Sequence, residues 1–268
     1  MANEVVLPSV ILSALKLVHR SWMPAILDGL SAMQLADPHY FVSLQETHFL
    51  PTNDRLFAAF SLPLDQVKYV LVGEGPYPRE GSANGYCFMD GAVSNLWSNE
   101  PNGGLSKKVN RATSLRNFIK MLLVADGVLN VNQTNGDAMA IVSALARKEN
   151  SGFIQTLPEL QSNMTAHGFL LLNASLVYRP EVAPARDARA WQVFLQSVFS
   201  ALHAHHIAND GSAVSLVLWG KIAEQLKQIP ASNFFPHIIA EHPYNLSFIA
   251  NVKMQQFFRP MKLLVKSA

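Results

Sequence analysis

The chain has 268 residues, 49% of them hydrophobic and 15% charged, with a formal net charge of +2. That is enough for a large core in one domain or two closely joined ones, and the charge balance is too even to point to a nucleic-acid partner. The single cysteine, Cys87, excludes an intrachain disulfide and a cysteine-built zinc cluster, and its expected place is a small buried hydrophobe.

In chain order, Val5 to Val18 is too short to span a bilayer and has no basic region before it. It reads as an amphipathic helix in a soluble, cytoplasmic protein with no membrane contact. Residues 1 to 60 look helical, with Ser21-Trp22 opening a segment and Asp37-Pro38 breaking it. Leu50-Pro51-Thr52-Asn53-Asp54 gives a turn with capping residues before a helix over Arg55 to Ser61.

The chain is organised around Val67 to Phe88. A short apolar, β-branched run ends in turn formers, the pattern of a buried strand entering a tight loop. Glycines in that loop permit close approach to a ligand, and Pro76 and Pro78 stiffen it around Tyr77, Phe88 and the carboxylate of Glu74. Residues 101 to 120 carry Lys107, Lys108, Arg111, Arg116 and Lys120 with no acid among them, either a phosphate-facing patch or a solvated helix face. Thr113-Ser114 is expected to cap a helix whose apolar face holds Leu115, Phe118, Ile119, Leu122 and Leu123 and which ends at Gly127. Residues 128 to 150 read as a polar loop and an alanine-rich helix.

Three more strands are expected over Gly168 to Leu172, Val214 to Leu218 and His237 to Ala240, with a helix over Trp191 to Leu202. Strands alternating with helices predict a three-layer α/β/α fold around a mostly parallel, solvent-shielded, four-stranded sheet. Ligands bind beyond the carboxyl ends of such strands, which here present Gly73-Glu74-Gly75-Pro76-Tyr77, Asn173, Trp219-Gly220-Lys221 and His242. Asparagine offers a donor and an acceptor that match the edge of a pyrimidine, an aromatic ring covers its face, and a neutral histidine donates to a carbonyl oxygen gaining charge. Taken singly, Asn173 fits a cap, Phe88 a core and His242 a loop; the set carries more than its members.

These residues resemble the family-1 uracil-DNA glycosylases, in order, from about Ser21 to Met261. Gly73 to Pro78 stands where that family has Gly-Gln-Asp-Pro-Tyr-His, and Gly81 to Phe88 resembles Gly-Gln-Ala-His-Gly-Leu-x-Phe. Thr113-Ser114-Leu115-Arg116-Asn117 is similar to Pro-Ser-Leu-x-Asn, and Leu170 to Asn173 matches Leu-Leu-Leu-Asn. Val217 to Gly220 resembles Leu-Leu-Trp-Gly, and His242 to Ser247 resembles His-Pro-Ser-Pro-Leu-Ser. The resemblance implies one domain over residues 1–268, no metal or cofactor, and uracil-containing DNA, single- or double-stranded, as the partner of a monomer. Phe88 would stack on the base, Asn173 would read its edge, Tyr77 would exclude thymine's methyl group, and Gly73 and Gly75 would line the loop. His242 would stabilise the departing anion and Leu246 would fill the gap in the duplex, while Ser114, Ser247, Gly220 and Lys221 would meet the DNA backbone.

The departures are as informative. The family's water-orienting aspartate is Gly75, its histidine is Pro78, Tyr244 and Asn245 replace Ser-Pro, and Asn110-Arg111-Ala112-Thr113 replaces the proline-rich loop. An insertion falls at about 126–155. Glu74, placed like the glutamate of the family-4 enzymes, is the expected catalytic substitute, unless strand alternation turns it away. Glu241 beside His242 either favours the imidazolium or faces solvent. Three functions follow: a glycosylase using Glu74 or electrostatics alone, a silent base-binding homologue, or an interaction scaffold docking through residues 128–165.

Overall fold

The structure, a computed structural model, describes residues 7–209 and 213–266. Its strands are β1 (Tyr69–Gly73), β2 (Phe169–Asn173), β3 (Ser215–Trp219) and β4 (His237–Ala240). Its helices are α1 (Ser9–Ala14), α2 (Met23–Ala36), α3 (Tyr40–Glu46), α4 (Lys107–Arg111), α5 (Thr113–Ala125), α6 (Gly136–Ala146), α7 (Leu157–Ala166), α8 (Pro184–Ala208), α9 (Ile222–Leu226) and α10 (Val252–Phe258). The four strands form one sheet in the order β2-β1-β3-β4, with β1 parallel to both β2 and β3. This is the expected α/β class.

The chain groups into two compact units: the described residues of Met1–Asp90 with Gly168–Ile238, and of Gly91–His167 with Ile239–Ala268. In the first unit, Val70, Val72, Leu170, Leu172, Leu216 and Leu218 join the main core from one sheet face. Leu71, Leu171 and Val217, in register with one another, are as deeply buried on the other. A strand buried on both sides has no alternation to show, which is why these runs read as continuously apolar. β4 departs from the expected shielding: its residues are half-buried or exposed, whereas β2, at the other edge, is buried throughout.

Helix α8 packs against α2, where Gly29 faces the Phe194 ring, and against the 3-10 segment Arg55–Ser61 through an aromatic cluster. Phe194 meets Trp191 at 5.2 Å and Phe57 and Phe60 at 6.0 Å between ring centroids, mostly edge to face. At the end of this core lies a buried ion pair. Arg179 grips Asp187 through two bonds, Nε–Oδ2 at 3.1 Å and Nη2–Oδ1 at 2.5 Å, and donates to the hydroxyls of Ser43 and Thr47. Tyr40 completes the network by donating to Asp187 Oδ1 at 2.8 Å. Because both charges are desolvated, removing one partner strands the other. Arg179→Ala is expected to cost about 3–5 kcal/mol in urea unfolding; a loss below about 1 kcal/mol, the level of an exposed pair, would contradict this.

In the second unit, α5 buries the whole expected face, Leu115, Phe118, Ile119, Leu122 and Leu123, partly against α10 through an edge-to-face contact of Phe118 with Phe258 at 5.2 Å. Gly127, just past its end, takes the left-handed φ of +74° that a helix stop favours.

Three expectations need correction. The N-terminal helix is only Ser9–Ala14, followed by a 3-10 turn that ends at Val18's extended backbone; Val5 and Val6 lie outside the described residues. Neither Thr113 nor Ser114 caps α5. The cap position is Ala112, because α4, capped by Ser106, runs almost directly into α5 and leaves both hydroxyls in the first turn. Asn53 and Asp54 take positive φ rather than capping, the segment from Arg55 to Ser61 is a 3-10 helix, and the Asp54 carboxylate is engaged by Ser13 instead.

Candidate active site

The carboxyl ends of β1 and β2 are in strict register, with Gly73 opposite Asn173, and the pairing continues as Ala174 N–H and Ser175 N–H donate to the carbonyls of Gly73 and Glu74. Asn173 is only 5% exposed, and its Oδ1 is buried without a hydrogen-bond partner. A Cβ at Gly73 would stand 3.0 Å from that oxygen and 2.9 Å from Cys87 Cβ, so the missing side chain is what lets Asn173 occupy this place. A buried amide oxygen without a partner calls for an explanation, and its place at a strand end makes it a candidate for reading a ligand's edge.

Phe88 is held beside the strand ends. Its backbone is in the left-handed region at φ +65°, the residues on either side hydrogen-bond as Met89 N–H to Cys87 C=O, and Cys87 N–H donates to Leu171 C=O. A non-glycine residue in that conformation is strained, and such strain persists where the surroundings impose it. Its ring is half-buried and meets Trp219 edge to face at 5.2 Å, while Tyr77 Oη donates to its carbonyl at 3.3 Å. Burial, and secondarily the nearby Asp90, pushes the Tyr77 hydroxyl up, which keeps it a donor. Cys87 is fully buried, and burial raises its thiol; it is the inert hydrophobe expected.

Glu74 and Gly75 lie in a bend beyond the last strand residue, in a cleft that Tyr77, Phe88, Asn173 and His242 do not line. This cleft, of about 420 Å³, is lined also by Ser175, Ala185, Asp187 and Gln225. Its two acids differ. Asp187 is locked by Arg179 and Tyr40, whereas the Glu74 carboxylate is exposed and has no partner among the described residues. At Gly75 a Cβ would meet nothing nearer than Ser175 O at 3.6 Å. Beyond β3, Gly220 takes φ +73° and Lys221 is exposed at the start of α9.

The second unit carries the loop after β4. Tyr244 N–H donates to His242 Nδ1 at 3.0 Å, so Nδ1 is a lone-pair acceptor and the ring's proton in the neutral form is on Nε2. The Glu241 carboxylate accepts from Ser247 Oγ at 2.7 Å, a third arrangement beside the two weighed for it. Leu246 is 68% exposed, and Ser114 is half-buried in the first turn of α5. The loop hangs from Asn117, whose Nδ2 donates to the carbonyl of Pro243 at 2.8 Å and lies 3.3 Å from those of Tyr244 and Asn245. Asn117 and Trp219 both lie inside motifs quoted from the sequence, but their supporting roles were missed. The signal for Asn117 was a polar residue set in an otherwise apolar helix face.

Comparison with known proteins fits this arrangement. No family model matches the chain. It is 28% identical over 233 residues to a uracil-DNA glycosylase from Corynebacterium glutamicum, covering 86% of this chain and 81% of that one. A second relative of the same name, from Azobacteroides pseudotrichonymphae, is 25% identical over 75% of this chain and 70% of its own. The crystal structure of wild-type UNG from Nitratifractor salsuginis superposes with a TM-score of 0.84 at 35% identity, covering 98% of this chain and all of that one. A mimivirus uracil-DNA glycosylase, at 15% identity, 90% and 78% coverage and a TM-score of 0.51, shares the fold. The fold is that of the α/β enzymes whose ligands bind beyond the carboxyl ends of a parallel sheet. The chain belongs to the uracil-DNA glycosylase family.

Proposed function

We infer that this protein is a DNA glycosylase, a hydrolase that cleaves the N-glycosidic bond of uracil in DNA after flipping the nucleotide out of the stack. The observation that carries the reading is the buried, unpartnered Asn173 Oδ1 beside Gly73, at the strand end where a base edge must be read. Asn173 pairs with the polar edge of uracil, Phe88 stacks on its face, and Tyr77 excludes a 5-methyl group. Gly73 and Gly75 keep the loop backbone open to the base and sugar.

In the reaction, the bond between C1′ and N1 breaks with its electron pair going to the base, and water adds to C1′. His242, protonated on Nε2, donates to the uracil oxygen on which negative charge grows. Glu74 takes the water's proton and faces the cationic sugar, the role the family gives to the aspartate replaced by Gly75. Leu246 fills the vacated space, and Ser114, Ser247, Gly220 and Lys221 hold phosphates. A silent base-binding homologue gains no support, since the relatives carry the name of the enzyme. The reading includes a monomer, since one flipped nucleotide occupies one site, and a cytoplasmic location as a further part of the proposal. Among the described residues no helix is long and apolar enough to cross a membrane.

The test is release of free uracil, followed by chromatography, from a single-stranded uracil oligonucleotide at enzyme excess; no uracil would end the assignment. His242→Gln is expected to lower kcat about 10²-fold, the effect of losing one donor to a developing oxyanion, with little change in affinity for abasic DNA. An unchanged kcat would remove His242 from the chemistry.

A further inference from the structure

The loop that presents His242 carries a second large side chain for which the reaction above has no use. Tyr244 is 68% exposed, as is Leu246 two residues later. Single apolar residues on a surface need no explanation, but two in one short loop are a different matter when the loop is built to hold them out. Here the backbone is fixed from within. Asn117, itself fully buried, holds the carbonyls of residues 243 to 245. Tyr244 N–H is taken by His242 Nδ1, and Asn245 N–H by the His242 carbonyl at 2.9 Å. Pro243 on one side and Phe248 and Ile249 on the other are buried anchors. The Tyr244 ring has no ring contact and its hydroxyl no hydrogen bond among the described residues. A rigid loop thus keeps an unpartnered aromatic face in water beside the side chain assigned to enter the duplex.

We propose that Tyr244 is a stacking platform for a nucleobase next to the flipped uracil, so that this loop holds DNA by two side chains, Leu246 in the gap and Tyr244 on the neighbouring base. The inference rests on the glycosylase reading. Stacking on an aromatic ring is indifferent to base identity, because every base has a π-face, so the contact adds affinity without sequence preference. It also works on a single strand, where no opposite base fills the space.

The test uses a fluorescein-labelled oligonucleotide with a tetrahydrofuran abasic site, and a second with 2-aminopurine beside that site. Tyr244→Ala is expected to weaken binding about tenfold, the size of one lost stacking contact. Tyr244→Phe and Tyr244→Trp should bind within about threefold of the wild type, since the face rather than the hydroxyl makes the contact. Binding should quench 2-aminopurine with the wild type and not with Tyr244→Ala. Unchanged affinity and quenching in Tyr244→Ala overturn the proposal. So does an equal loss in Tyr244→Phe, which would put the effect on the hydroxyl. Uracil release by the wild type is scored separately, so failure of the glycosylase reading shows there, and failure of the stacking contact shows only in binding and quenching.

Discussion

Glu74→Gln is expected to lower the single-turnover rate of uracil release by about 10²-fold or more, the usual contribution of a positioned base. The cleft shared by Glu74 and Gly75 holds two acids, and Asp187 is spent on Arg179 and Tyr40, which leaves Glu74 as the carboxylate available there. The substitution keeps size and hydrogen bonding while removing the charge. A second substitution makes the result decisive. Gly75 has open space where its side chain would go, with Ser175 O the nearest atom at 3.6 Å, and its backbone is not left-handed, so an aspartate fits. Gly75→Asp added to Glu74→Gln should therefore restore most of the rate, because the charge returns from the adjacent position. If Glu74 is idle, Glu74→Gln retains the wild-type rate and Gly75→Asp alone raises it.

Asn173→Ala should be the most damaging single change at the base-reading edge, lowering kcat/KM about 10³-fold. Its effect on stability should run the other way. A buried polar atom without a partner costs the folded state about 1–3 kcal/mol, so replacing it with a methyl group should leave the melting temperature unchanged or raise it. A residue kept for structure loses both when truncated; one kept for a ligand loses activity alone. Thermal melting beside steady-state kinetics separates the two, and a large fall in melting temperature would return Asn173 to the role of a structural cap.

Much of this was legible because the strands are buried on both faces. Runs such as Leu170-Leu171-Leu172 are apolar throughout, and their short length between glycine and asparagine fits a fully buried strand. The boundary of β2 was missed by one residue because Gly168 takes φ +85° and belongs to the turn. Helix α7 was not placed at all, although Thr156-x-x-Glu159 forms a full capping box at its start, a signal open to reading in the sequence. Other features lay beyond any local pattern. The cleft that Glu74 lines is made with residues a hundred positions away, Ser175 and Asp187 among them. The grip of Asn117 on the His242 loop joins residues more than a hundred positions apart, through backbone carbonyls that have no sequence signature. The tautomer of His242 likewise follows from one amide in its own loop, visible only in three dimensions.

The base-reading slot at the end of β1 and β2 is tested most directly by a single gel. A labelled single-stranded oligonucleotide with one uracil is incubated with excess wild-type protein or Asn173→Ala, then treated with hot alkali to cut abasic sites. Conversion to the shorter strand by the wild type, and almost none by the variant in the same time, is the expected result. A wild-type lane with no product, or two lanes alike, would contradict the account.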